Sequence, residues 1–187
     1  MNLTERIESY SKTFPEFPPL YLASNKRIEG LWIIGNRYNT GGYYGAYPHG
    51  YLRRVSSLFP EKGNTLHLFS GSLPKSEEYI RFDLKPGADV VGDAHKLSDY
   101  FSENYFDIVF ADPPYSQEDA DHYGTIMVKR KTVFDQALKI LKPGGFLVWL
   151  DQIFPLHRKD IVDWMLAVGI IQSTNHRVRV VFGFQKK

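Results

Sequence analysis

Phe106-Asp107-Ile108-Val109-Phe110-Ala111-Asp112-Pro113-Pro114-Tyr115 is the stretch that decides the fold. Phe106–Ala111 is a short, mostly apolar run and reads as a buried strand. It ends on an acid, two prolines and an aromatic ring. The same pattern recurs on both sides. Thr65–Ser70 (TLHLFS), Tyr79–Asp83 (YIRFD), Val90–Val91 and Phe146–Asp151 (FLVWLD) are further apolar runs that read as strands. Val133–Leu141 is amphipathic and stops at Lys142-Pro143-Gly144-Gly145, a sharp helix-to-strand turn. Strands alternating with helices predict an α/β protein with a mostly parallel sheet and helices on its faces. Only 71–78 and 84–88 separate the first three of these strands, too short for ordinary helical crossovers. Helices are therefore expected to be trimmed after the first core strand.

Further out, His49–Pro60 carries Leu52, Val55, Leu58 and Phe59 at spacings of three and four and predicts a helix. Ile28–Ile34 predicts a short strand, and Leu156–Val168 predicts a helix. Residues 170–185 close with two strand-like runs, the second being Val178–Phe184. Residues 1–27, with Pro15, Pro18 and Pro19, read as an irregular arm over the main domain. Tyr and Gly cluster in Tyr38–Tyr51. Trp32, Trp149 and Trp164 read as core aromatics.

Composition bounds the rest. A chain of 187 residues with 43% hydrophobic and 24% charged residues is an ordinary single globular domain, which excludes disordered and collagen-like classes. Lys plus Arg is 23 against 21 for Asp plus Glu, so a nucleic-acid partner would have to meet a local basic face. There is no cysteine, which removes disulfides, cysteine-ligated zinc and thiol nucleophiles together. The N-terminus has no apolar signal core and no run reaches membrane-span length, so a soluble, cytoplasmic protein without a membrane partner is expected.

Ligands of open α/β sheets bind beyond the carboxyl ends of the strands. There, Asp112 and the carbonyl of Pro113 are acceptors for the two N–H bonds of a planar amine. Pro114 stiffens the turn, and the Tyr115 ring can stack on a nucleobase. Phe69-Ser70-Gly71-Ser72 places a glycine where backbone can approach a ligand, or forms a plain turn. Asp83 suits the two hydroxyls of a ribose, or is a solvated strand end. Asp93, in Gly92-Asp93-Ala94-His95, can accept from an adenine amino group or cap the segment that follows. Lys129-Arg130-Lys131 and the group His176, Arg177 and Arg179 can meet phosphates or are solvated faces. Ser116–Gly124 is an acidic loop that can act as a lid with a hinge at Gly124. His49, His67, His95, His122 and His157 show no metal spacing, so no metal is expected.

Taken in order, these motifs resemble the S-adenosylmethionine-dependent methyltransferases, in particular the amino-methyltransferases of nucleic acids. Phe69-Ser70-Gly71-Ser72 is similar to the family's methionine-binding turn. Asp83, with Leu84, is similar to its ribose acid, and Asp93, with Ala94, to its adenine-contacting segment. Asp112-Pro113-Pro114-Tyr115 is similar to its catalytic tetrapeptide, whose acid also borders the cofactor. Tyr47-Pro48 stands where the family has a further cofactor-lining segment, and Leu141–Gly145 matches the turn before its fifth strand. Leu73 departs from the pattern, standing where a second glycine is usual. The resemblance covers residues 45–187 as a catalytic domain, with 1–44 as an arm and cover segment. It implies a Rossmann-like class I fold: a seven-stranded, mostly parallel sheet with a C-terminal antiparallel hairpin. It also implies S-adenosyl-L-methionine as cofactor and methyl transfer to the N6 amine of adenine in DNA. Alternatives are the same chemistry on RNA guanine or another amine, or an inactive cofactor-binding subunit. No stretch is long enough for a separate target-recognition domain, so a second copy or a partner subunit is a candidate source of specificity.

Overall fold

The computed structural model describes residues 1–35, 47–61, 63–122, 124, 127–172 and 178–187. The segment expected to be an irregular arm begins instead with helix α1 (Leu3–Thr13). Its signal is a capping box: Asn2 Oδ1 accepts from the Glu5 N–H at 3.0 Å, and Glu5 Oε2 accepts from the Asn2 N–H at 2.9 Å. The inward face of α1 carries Leu3, Ile7 and Tyr10 at helical spacing, continued by Phe14, with Arg6 buried beside them. Strands β1 (Tyr21–Leu22) and β2 (Ile28–Ile34) follow, then α2 (Tyr51–Leu58). Most of the Tyr and Gly cluster lies outside the described residues.

The core is β3 (Thr65–Leu68), β4 (Ile80–Asp83), β5 (Val90–Val91), a 3-10 turn at Ala94–Asp99 and β6 (Phe106–Ala111). It continues with α3 (Gln117–His122), α4 (Arg130–Ile140), β7 (Leu141–Asp151), β8 (Val162–Gln172) and β9 (Val178–Lys186). No helix joins β3 to β4, as the short link requires. Among the described residues the sheet has nine strands, in the order β1-β2-β8-β9-β7-β6-β3-β4-β5. The seven-stranded sheet expected from the resemblance is therefore wider by two strands. β2 lies parallel to β8 over Ile28–Ile34, and β1 pairs antiparallel with β2. β9 is antiparallel to both β7 and β8, and the five-strand run from β7 to β5 is parallel throughout.

The second correction is at Leu156–Val168, expected to be helical. Most of it lies in β8, and 152–161 crosses the sheet without a helix. Leu166, Val168 and Ile170 alternate onto one face as a strand requires, and Val162, beyond a register shift between Trp164 and Leu166, packs on the other. Ile161, Met165 and Val168 also fit a helical spacing, and pairing on both flanks decides between the two. Phe154 fills the place of a helix, its ring 4.4 Å from Trp164 and 5.1 Å from Phe182. Trp164 is only half-buried, with the Arg27 guanidinium 3.1 Å from its ring centre, whereas Trp32 and Trp149 are core residues as expected.

One sheet face packs on α1 and α2, the other on α4 and the 3-10 turn. Arg6 fastens α1 to α2: it is 1% exposed, donates to the Leu58 carbonyl at 2.7 Å, pairs with Glu61, and lies 4.6 Å from the centre of the Phe146 ring. Among the described residues no helix is long and apolar enough to cross a membrane.

Candidate active site

Strand register assembles the site. Leu68 is opposite Ala111 and also opposite Phe82, while Asp83 is opposite Val91. The Phe69–Ser72 turn, Asp83, Asp93 and Asp112 therefore leave the sheet at one edge, beyond the strand carboxyl ends. The chain reverses its direction of travel between β3 and β6, which is where the ligand crevice of an open α/β sheet lies. Ala111 is also opposite Trp149, so Asp151 at the end of β7 comes out at the same edge.

The glycine turn and Asp83 are joined directly. Gly71 has φ +51° and Phe69 φ +57°, and the Gly71 N–H donates to Asp83 Oδ2 at 2.9 Å. Asp83 Oδ1 accepts from the Lys85 N–H at 3.0 Å. Each carboxylate oxygen has a second lone pair, so this acid can still accept from hydroxyls. Leu73 donates its N–H to the Ser70 carbonyl at 2.9 Å and closes the turn in place of the usual glycine. The Ser70 hydroxyl is buried without a hydrogen-bond partner among the described residues. Ser72 and Leu84 are exposed at the rim.

Asp93 sits at the next strand end, where its Oδ1 accepts from the His95 N–H at 2.9 Å and contacts His95 Nδ1 at 2.6 Å. It is the cap of the 3-10 turn. Ala94 is buried in the core. His95 Nε2 in turn accepts from the Lys129 N–H at 3.0 Å, which ties this strand end to the start of α4.

Tyr47 and Pro48 lie across β3. The Tyr47 hydroxyl is 3.0 Å from His67 Nδ1, and its ring stacks on Tyr51 at 5.3 Å. Pro48 starts α2 by accepting from the Tyr51 N–H at 3.0 Å. Burial holds His67 at about 4, a neutral ring stacked 4.6 Å from Phe110. Burial raises the Tyr47 phenol well above its usual value, and the nearby Tyr51, Asp112 and Asp83 push it further. Tyr51, given no role in the sequence reading beyond the end of the Tyr and Gly cluster, is fully buried with a hydroxyl that has no hydrogen-bond partner among the described residues. Burial and the nearby Asp112 keep it protonated.

The Tyr115 hydroxyl donates to Asp112 Oδ1. The Arg179 guanidinium lies 5.0 Å from the centre of the Tyr115 ring. Burial pushes the Asp112 carboxyl up to about 7, against the pull of the Tyr115 hydroxyl and Arg179, with Asp151 and Asp119 adding repulsion. Pro113 and Pro114 are buried. The Lys129-Arg130-Lys131 run is not one basic face: Arg130 turns inward onto Asp151, and Lys131 pairs with Asp135. Sequence reasoning passed over Asp151 and read Arg130 only as part of a run that can meet phosphates. Asp151, like Asp83 and Asp112, is an acid at the end of an apolar strand, and that pattern marks it. The acidic segment after Tyr115 is partly helical as α3, and Gly124 has φ +63°. His176 and Arg177 lie outside the described residues.

No family model matches the sequence, and no curated protein matches it. Among solved structures, the chain is similar to TrmN from Thermus thermophilus, with TM-score 0.49, 18% identity, and coverage of 67% of this chain and 44% of that one. It is similar to a SAM dependent methyltransferase from Aquifex aeolicus, with TM-score 0.41, 8% identity, and coverage of 68% and 84%. It is also similar to the trans-methyltransferase CalH in complex with SAH, with TM-score 0.37, 10% identity, and coverage of 70% and 52%. The chain spans about half the length of TrmN and of CalH.

Proposed function

We propose that the crevice binds S-adenosylmethionine and the exocyclic amine of a nucleobase, and that the protein transfers a methyl group to that amine, with adenine N6 in DNA as the favoured acceptor. The observation that carries this reading is the register that sets Asp112 beside the Gly71–Asp83 turn, with the Tyr115 hydroxyl held on the Asp112 carboxylate. The residues present fit the cofactor. Asp83 has acceptor capacity for a ribose, and the buried hydroxyls of Ser70 and Tyr51 have no partner among the described residues. Gly71, with the flanking Phe69–Ser72 turn, would take the methionine end, Asp83 the ribose and Asp93 the adenine.

When bound, the cofactor supplies an electrophilic methyl on sulfonium: the amine lone pair forms the N–C bond while the C–S electron pair returns to sulfur. The chain supplies the rest. An exocyclic amine has its lone pair delocalised into the ring. Asp112 and the Pro113 carbonyl accept its two N–H bonds and so favour the pyramidal, nucleophilic nitrogen. Positive charge grows on that nitrogen during transfer, and fixed acceptors aimed at it stabilise the transition state. Asp112 then takes the proton that the alkylated nitrogen sheds and passes it to solvent. Tyr115 offers its ring for stacking, worth about 1–3 kcal/mol per base. A base in a duplex must leave the helix to reach this depth, at a cost of a few kcal/mol.

The test is mass spectrometry of nucleosides from unmethylated DNA and RNA incubated with the protein and methyl-labelled cofactor. Label in N6-methyladenine from DNA is expected, and Asp112→Ala should lose it while cofactor binding stays within threefold. Label in RNA guanine would move the acceptor to the alternative. Absence of both transfer and binding at millimolar cofactor would end the reading.

A further inference from the structure

Two charged side chains beside the crevice have no part in the chemistry above. Asp151 is fully buried at the end of β7. Its Oδ2 accepts from Arg130 Nε at 2.7 Å and Trp149 Nε1 at 3.1 Å. Its Oδ1 accepts from Arg130 Nη2 at 3.1 Å and from the N–H groups of Gln152 and Ile153 at 2.7 and 3.1 Å. Arg130 is thus held by a fully hydrogen-bonded carboxylate. Its Nη2 also donates to the Tyr115 carbonyl at 3.0 Å and reaches the Pro114 carbonyl at 3.5 Å.

The need for such a donor follows from the loop's sequence. Pro113 and Pro114 have no N–H, so the backbone between Asp112 and Tyr115 can be held only through its carbonyls. Its carbonyls must be fixed by a donor from elsewhere. We propose that Arg130 and Asp151 are positioning residues for methyl transfer: together they clamp the Pro114 and Tyr115 carbonyls, and so fix where Asp112 and the Pro113 carbonyl meet the acceptor amine. This rests on the reading of the crevice as a transfer site. The clamp is bidentate on Asp151 and reaches two carbonyls from one rigid plane, which a lysine cannot reproduce. A misplacement of about 1 Å at a reacting centre can cost about 100-fold in rate.

The full-length chain would be assayed with S-adenosylmethionine and unmethylated adenine-containing duplex DNA. In Arg130→Lys, kcat should fall at least tenfold, while KM for both substrates stays within threefold. Hydrogen exchange of the Tyr115–Ala120 amides should quicken. Asp151→Asn keeps the shape of the side chain and an acceptor for the two backbone amides, and should act in the same direction. It decides the matter if Arg130→Lys does not fold. A kcat within twofold of wild type in a folded variant, or a rise in KM with kcat unchanged, overturns the clamp. Wild-type protein that methylates no acceptor defeats the reading of the site before any variant is made. Unchanged exchange in Arg130→Lys then defeats the clamp separately.

Discussion

Asp112 accepts from the Tyr115 hydroxyl while burial holds its own carboxyl at about 7. Near neutrality it is divided between an ionised form, which can accept from an amine, and a protonated form, which has lost that capacity on one oxygen. Transfer should therefore rise with pH through about 7 and level off above it. Arg179 favours the ionised form through its charge. In Arg179→Ala the midpoint of that rise should move to higher pH, read from kcat profiles of the two proteins. An unmoved midpoint would show that the guanidinium does not act on this carboxyl. The motif itself was legible because its chemistry lies in four consecutive letters. The contacts that Arg130 makes with Tyr115 and Asp151, and Arg179 with Tyr115, were not, because they join positions 15 to 64 residues apart. A run such as Lys129–Lys131 reads as one patch although its members face three different environments.

At the scale of elements, the N-terminal helix is held by an apolar stripe, Leu3, Ile7, Tyr10 and Phe14, and by a buried charge, Arg6. Glu61 is half-buried and Arg6 almost wholly buried, so the two sides of the pair are unequal. Removing the acid strands a buried cation; replacing the cation with a similar apolar chain does not. Glu61→Ala should cost about 3 kcal/mol and Arg6→Met distinctly less, measured by urea unfolding. Equal losses would contradict this account. The signals of α1 were in the sequence, as the capping letters Asn2 and Glu5 and the spacing of Leu3, Ile7, Tyr10 and Phe14, and the prolines at 15, 18 and 19 that follow drew the whole segment into one irregular reading. The strand β8 was missed for another reason. Its residues satisfy two periods at once, and only the neighbours on either side select one.

For the whole molecule, the parallel half from β3 to β7 and the trimmed link after β3 followed from alternation and link length, whereas the C-terminal hairpin was implied by the family resemblance and its first strand begins at Val162, inside the expected helix. The two added strands did not follow, because β2 finds its partner more than 130 positions away. β2 covers the flank of an eleven-residue strand, and its Trp32 enters the core. Deleting residues 1–34 would leave that flank as a long apolar edge, a template for pairing with other chains. The shortened protein should aggregate, seen by light scattering; a folded, monodisperse product would show that β8 does not need the cover.

Because β9 is inserted between β7 and β8, the sheet has no continuous hydrogen-bonded path across its width until Val178–Lys186 arrive. Two slabs, one of three strands and one of five, must wait for a late wedge. Such long-distance closure is paid in chain entropy before it is rewarded, so this topology ranks among slow folders rather than fast ones.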